Sequence, residues 1–338
     1  GAYKKDKWVI SASFAITGGG GKASFDNGLP MFDALAIGGI YTNAQLTGLV
    51  GKPVTPDMYE INSAMDGKQY IYGVQLGVSY RFNNWLSAFI GGRMNYVKSG
   101  YEGYLKAQMK EEFGGMALTN LELDCDQSGW GLTPIIGLDA KLGRWNLAAK
   151  YEFQTNLNIE NKTNKLEVPV GTPEEVIKPY ADGEQTPSDI PAFLSVAAGY
   201  EILPTLRASV EYHFFDDKRA GMLNDRQKTL KHGTHEYLAG IEWDVIKYLT
   251  ISGGFQKTDY GLSDNFQTDT SFYCSSYSLG FGARARLSDA LSLDIAYFWT
   301  TYDDYTKTSA DYNGTGMPGT DVYSRTNKVF GLSLNYHF

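Results

Sequence analysis

The last stretch of the chain sets the strongest constraint on its fold. Phe330, Leu332, Leu334, Tyr336 and Phe338 are apolar at every second position, and Gly331, Ser333, Asn335 and His337 between them are small or polar. A period of two belongs to a β-strand with unlike faces, and here one face suits lipid while the other suits a wet interior. The alternation recurs upstream. Leu291, Leu293, Ile295, Tyr297 and Trp299 oppose Ser292, Asp294 and Thr300, and Tyr277, Leu279, Phe281, Ala283, Ala285 and Leu287 oppose Ser278, Gly280, Gly282, Arg284 and Arg286. Trp145, Leu147, Ala149, Tyr151 and Phe153 alternate with Asn146, Lys150, Glu152 and Gln154. The full set of expected strands is 8–16, 69–82, 86–99, 128–142, 145–156, 191–202, 206–215, 234–245, 249–257, 276–287, 291–301 and 326–338.

The connections alternate strictly in length. Asn83–Asn84, Gly143–Arg144, Leu203–Thr205, Ile246–Tyr248 and Ser288–Ala290 are short, whereas 17–68, 100–127, 157–190, 216–233, 258–275 and 302–325 are long. Outer-membrane barrels have short periplasmic turns and long extracellular loops, an asymmetry with no counterpart in soluble sandwiches or propellers. Trp8, Trp130, Trp145, Trp243 and Trp299 near strand ends fit interfacial girdles. Nothing in the 338 residues approaches the apolar run of about 20 that a membrane helix needs. Strands must then do the crossing, because only helices and closed barrels satisfy the backbone in lipid. The expected fold class is all-β: one antiparallel transmembrane β-barrel domain over 1–338, integral to a Gram-negative bacterial outer membrane and surrounded by its lipids. The net charge of −8 argues against a nucleic-acid partner.

The start of the chain carries a further expectation. Tyr3-Lys4-Lys5-Asp6-Lys7 reads as another short turn before strand 8–16, and a turn needs a strand before it. That strand needs a neighbour in turn, so the twelve visible strands imply fourteen, with natural sequence expected upstream of Gly1. Cys125 and Cys274 are the only cysteines; both are expected in loops, and their pairing is left open.

Alternation also places charges inside. Arg81, Arg93, Lys141, Lys150, Arg207, Arg284 and Arg286 are expected to face the lumen, together with Asp139, Glu152, Glu201, Glu211, Glu242, Asp244 and Asp294. Both signs occur in similar number, which suits an interior laced by ion pairs or filled by a plug rather than a filter for one sign of ion. In the first long loop, Met31, Phe32, Leu35, Ile37 and Ile40 are more apolar than an outside loop requires. They suit a short helix over the barrel mouth with a greasy ligand groove, or packing against neighbouring loops. Catalytic, cofactor and metal chemistry finds little support. Gly18–Lys22 lacks phosphate-loop spacing, because Lys22 is followed by Ala23. Glu211 and His213 share a strand face without a nucleophile in reach, and solvated loop histidines are commoner than metal ligands for His232 and His235.

The inner strands Tyr72-Gly-Val-Gln-Leu-Gly-Val-Ser-Tyr80, Gly129-Trp-Gly-Leu-Thr-Pro-Ile-Ile-Gly137 and Pro191-Ala-Phe-Leu-Ser-Val-Ala-Ala-Gly-Tyr200, with the ending Leu334-Asn335-Tyr336-His337-Phe338, resemble the FadL family of outer-membrane hydrophobic-compound transporters. The terminal aromatic resembles the signal by which barrel-assembly machinery recognises its clients. The family likeness implies uptake of a hydrophobic small molecule such as a fatty acid. It further implies an N-terminal hatch, of which this sequence shows nothing, and sideways exit through an inward kink in the third strand. By the strand count above, the third strand is 8–16, ending at Ile16 and running into Gly18, Gly19, Gly20 and Gly21. Glycines there suit a bulge and a lateral opening, or a flexible start to a long loop. A second functional class stays open: a non-transporting barrel subunit of a secretion or assembly complex, with other outer-membrane proteins as partners.

Overall fold

The computed structural model describes residues 1–42, 51, 53–169 and 172–337. Its strands are β1 (Ala2–Lys5), β2 (Trp8–Phe25), β3 (Tyr59–Arg81), β4 (Leu86–Met109), β5 (Ala117–Leu142), β6 (Trp145–Glu152), β7 (Asn158–Glu167), β8 (Gln185–Pro187) and β9 (Phe193–Leu203). They continue as β10 (Leu206–Phe215), β11 (Thr234–Ile246), β12 (Leu249–Asp259), β13 (Ser276–Arg286), β14 (Leu291–Tyr302), β15 (Tyr305–Ser309), β16 (Gly319–Tyr323) and β17 (Thr326–Tyr336). Helix α1 (Pro30–Thr42) lies in the first long connection. A 15-stranded sheet runs β1-β2-β3-β4-β5-β6-β9-β10-β11-β12-β13-β14-β17, with β7 and β8 off this path, and β15 and β16 form a separate hairpin. The pairings along the path are antiparallel and keep chain order, passing over only β7–β8 and β15–β16. No described helix is long and apolar enough to cross a membrane.

All twelve expected strands are present, with changed ends. The turn expected over 3–7 is shorter: Ala2–Lys5 already pairs with β2, and Asp6, at φ 52°, makes the reversal with Lys7. Strand 145–156 stops at Glu152. Phe338 lies outside the described residues. The largest correction concerns β2 to β5, which extend well past the expected ends and turn much of loops 17–68 and 100–127 into sheet.

The reason is an inversion of polarity along each strand. On the lower part of β4 the outward residues Ile90, Met94 and Tyr96 are exposed apolar side chains, and the inward Arg93 and Asn95 are polar. From Lys98 upward the faces trade character: Lys98, Glu102, Lys106 and Gln108 point out, while Leu105, Ala107 and Met109 are buried inside. The lower part stands in lipid, where the outside must be apolar. The upper part stands in water and is packed inside like a soluble protein. On β5 the same change separates outward Trp130, Leu132, Ile136 and Leu138 from outward Asn120, Glu122 and Asp124. The girdles follow: Trp8, Trp85, Trp145 and Trp243 ring the short-turn end, Trp130 stands at the other, and Trp8 packs on Tyr80 at 4.4 Å while Trp145 packs on Tyr200 at 4.6 Å. Cys125 lies within β5 rather than in a loop, and Cys274 precedes β13; both are buried free thiols.

Candidate functional site in the barrel interior

The inward positions form three levels. Nearest the short turns, Arg207 of β10 reaches Glu242 at 2.6 Å and Asp244 at 2.8 Å, and Thr250 donates to Asp244 at 2.7 Å. Arg284 donates twice to Asp294, at 2.6 and 3.1 Å, and Asn335 of β17 adds a bond of 2.8 Å. Lys141 pairs with Glu201, and Asn146 donates to Asp139 at 2.9 Å. Register makes these pairs, because Arg207 stands opposite Glu242 and Arg284 opposite Asp294. Such half-exposed pairs add little stability, but they mix the signs along the wall. Arg81 and Arg286 sit exposed at the strand ends, their amides bonded to Lys7 and Tyr248.

At the middle level the pairs are more enclosed. Arg93 binds Glu152 and donates to Asn95 at 3.2 Å, and Lys150 reaches the other Glu152 oxygen at 2.9 Å. Asn95 donates to Thr133 at 2.8 Å, and Thr133 bonds Thr155; all three are buried. Across the wall, His213 stands between Glu211 at 2.7 Å and Glu236 at 2.9 Å, while Ser195 donates to Glu211 at 2.6 Å. Both imidazole nitrogens are thus occupied by carboxylates and Ser195 bonds to Glu211, so no nucleophile–base pair is formed. A cavity of about 530 Å³ opens among Arg93, Ile135, Lys150, Glu152, Ser195 and Glu211. His232 and His235 lie elsewhere: His235 faces the Tyr212 hydroxyl at 2.7 Å and His232 faces Asp259 at 3.6 Å. Among the described residues no group of three His, Cys, Asp or Glu side chains is placed to hold a metal ion.

The upper level is a packed apolar cluster. Helix α1 is apolar around its circumference and lies on the inner face of the extended β3–β5 sheet. Ile40 is buried with Met58, Tyr59, Leu105, Ala107 and Met109, and Phe32 and Ile37 pack against them. Met31 is half-buried, and its N–H donates to Asp269 at 2.7 Å, setting a carboxylate at the positive end of the helix. Tyr323 also donates to Asp269, at 3.3 Å. Leu35 stands apart from this cluster, 50% exposed. Burial, with Tyr41 and Asp33 nearby, pushes the Tyr59 phenol up to about 12, and burial raises the Asp33 carboxyl. The helix appears in the expected loop, but its partners Met58, Leu105 and Met109 come from stretches expected to be loops themselves.

The glycine run is a bulge inside a continuing strand, not a loose loop start. Ladder register shifts on both sides of Gly18, and Gly19 and Gly21 take φ of +94° and +80°. A Cβ on Gly19 would meet the Gln69 carbonyl oxygen at 2.3 Å. Gly20 belongs to the same strand, and Ile16 points outward, exposed. Gly18 lies against Ile71, whose inner end packs with Val97, Leu157 and Ile159. Apolar side chains thus mark the inner wall from beneath α1 to the back of the bulge.

No protein-family model matches the chain, and no curated protein matches its sequence. Solved structures do share its architecture. A Pseudomonas aeruginosa FadL homologue superposes with a TM-score of 0.58 at 15% identity, covering 84% of this chain and 76% of that one. The fold is FadL-like. The P. putida toluene transporter TodX gives 0.59 at 12% identity over 100% and 81% of the two chains, and the CymD monoaromatic hydrocarbon channel gives 0.51 at 11% over 84% and 80%. With lipid-facing apolar strands, polar inner positions and this FadL-like wall, the chain has the fold of a transmembrane β-barrel.

One feature of the interior has no counterpart among the expected site residues. Beyond Glu152 the chain leaves the wall and folds inward, burying Thr155 and Leu157. Its local traces are Gly129 and Gly131 close to Pro134 in one strand, residues that mark close backbone approach and an interrupted ladder.

Proposed function

We propose that the chain is an outer-membrane channel that admits hydrophobic small molecules, such as fatty acids or aromatic hydrocarbons, rather than an enzyme. The observation that carries this reading is the apolar cluster under α1, built from Phe32, Ile37, Ile40, Met58, Leu105 and Met109 on the inner side of a FadL-like barrel. Here the packing stands at the mouth of a lumen, where an apolar solute that inserts among these side chains gains about 25 cal/mol per Å² buried. Met31, Phe32, Leu35, Ile37 and Ile40 form the entrance in this reading, and the Ile16–Gly21 bulge, backed by Ile71, is a sideways exit into the bilayer. The charged middle and lower levels are wall rather than binding surface.

The alternative is a barrel that serves as a scaffold in a protein complex. Native mass spectrometry of protein extracted gently from its own membrane separates the two. Stoichiometric release of an apolar compound from a solitary barrel supports the channel and names its substrate class. Intact assemblies with other outer-membrane proteins and no enriched ligand refute it.

A further inference from the structure

The β5–β6 ladder ends at Ile135↔Glu152, and β5 finds its next partner on that side at Ser128↔Glu160 of β7. The chain between keeps to β5 only at Phe153, whose N–H donates to the Pro134 carbonyl at 3.0 Å. From there it crosses the inner face. A Cβ on Gly129 would stand 2.3 Å from the Asn158 carbonyl oxygen, and one on Gly131 would stand 2.5 Å from Thr155 Cγ2 and 2.9 Å from the Asn156 oxygen. Those odd-numbered positions share the inward face of Thr133 and Ile135, while Trp130 and Leu132 point to lipid. Leu157 reaches Val97 on β4, in a cluster joined by Ile71 on β3. Only a strip folded into the lumen touches all three strands from within.

Its height gives it a role. Below it, Glu152 lines the 530 Å³ cavity. Above it, the inward positions of β4 climb from Val97 to Leu105 and Met109 in the apolar cluster under α1. On its free edge the strip pairs with residues 185–190, through Thr155 with Ile190, Leu157 with Ser188, and Asn158 and Ile159 with Pro187 and Thr186. Asp189 of that partner accepts bonds from Gln154 Nε2 at 2.8 Å, the Leu157 N–H at 2.8 Å and the Gly221 N–H at 3.0 Å. Thr155 is bonded to Thr133. Toward the wall the β5 ladder is interrupted between Glu152 and Glu160, and a segment with fewer cooperative bonds to its neighbour opens at lower cost.

We propose that residues 154–159, moving with the 185–190 segment they pair with, are a gate made from the barrel wall, latched by Asp189, which divides the apolar cluster under α1 from the lower cavity and swings aside to pass an apolar solute. The proposal rests on the channel reading above, and its test separates the two. A Thr133→Cys/Thr155→Cys variant, with each single variant as control, is oxidised to join the strip to β5, with the bond verified by mass. Entry of N-phenyl-1-naphthylamine into intact cells is then followed by fluorescence. The gate requires that the oxidised double variant admit the dye no faster than cells lacking the chain, and that reductant restore the wild-type rate. A cross-linked protein that still admits dye at the wild-type rate overturns it. Should the double variant fail to insert, Asp189→Ala carries the test: conductance of the purified protein in planar bilayers rises above wild type if the latch is real, and unchanged conductance overturns the gate. Conductance needs no solute, so a wild-type protein that admits no dye refutes the channel reading, while the Asp189→Ala comparison still decides the gate.

Discussion

Leu332 and Ser333 are neighbours in β17, opposite Ile295 and Asp294 of β14, and they make a sharp test of which face meets lipid. Leu332 is 66% exposed and points outward near the middle of its strand. Leu332→Arg places a charge in hydrocarbon, at a cost of about 2–4 kcal/mol at mid-bilayer depth. Since about 1.4 kcal/mol is tenfold, a cost of about 3 kcal/mol lowers the folding equilibrium roughly 150-fold. With a urea slope of about 1–3 kcal/mol per M, the midpoint falls by about 1–3 M. Ser333→Arg moves the same charge to the lumen face, toward Asp294, which already accepts bonds from Arg284 and Asn335. There its effect is about 0–1 kcal/mol in either direction. Urea titration of protein refolded into liposomes, followed by tryptophan fluorescence, reads both variants. A Ser333→Arg loss as large as that of Leu332→Arg would refute the assignment of faces.

Three further outcomes follow from the upper levels. Leu105→Ala opens a hole in the apolar cluster under α1, lowers unfolding stability by about 2–5 kcal/mol, and reduces the apolar compound retained on purification. Gly19→Ala forces a side chain into a left-handed conformation against the Gln69 carbonyl, so the urea midpoint falls by the equivalent of about 1–3 kcal/mol; an unchanged midpoint would mean that the bulge is not fixed. Tyr59 is held neutral by burial, with a folded value of about 12, above the ordinary tyrosine value of about 10. Its contribution is therefore complete below the ordinary value and lost as pH rises through the folded one. Tyr59→Phe should lose less stability than wild type across that alkaline window, read as the difference between their melting temperatures.

The spans in lipid are legible because membrane and lumen impose opposite polarity on adjacent residues, as in Phe330–Tyr336 and Leu291–Trp299. The upper halves of β3, β4 and β5 keep the two-residue period, but Lys98, Glu102 and Lys106 now face out and Leu105 and Met109 face in. Read against the membrane pattern, such segments look like polar loops. Arg284 and Asp294 are legible as inward charges, yet their pairing depends on register, which the hairpin decides. The inward strip is the least legible part. Gly129, Gly131 and Pro134 betray a disturbed strand, but that Thr155 and Asn158 fill the space is a non-local fact. Asp189, far along the chain, shows no local sign that it holds Gln154, Leu157 and Gly221.

The most direct test of the channel reading is the initial rate at which N-phenyl-1-naphthylamine enters intact cells carrying the wild-type chain, beside cells that lack it and cells carrying Leu105→Glu at equal surface level. The channel predicts faster entry with the wild type, and a rate near that of cells lacking the chain when a carboxylate stands in the apolar cluster under α1. Equal rates in all three would contradict it and leave the barrel as a scaffold.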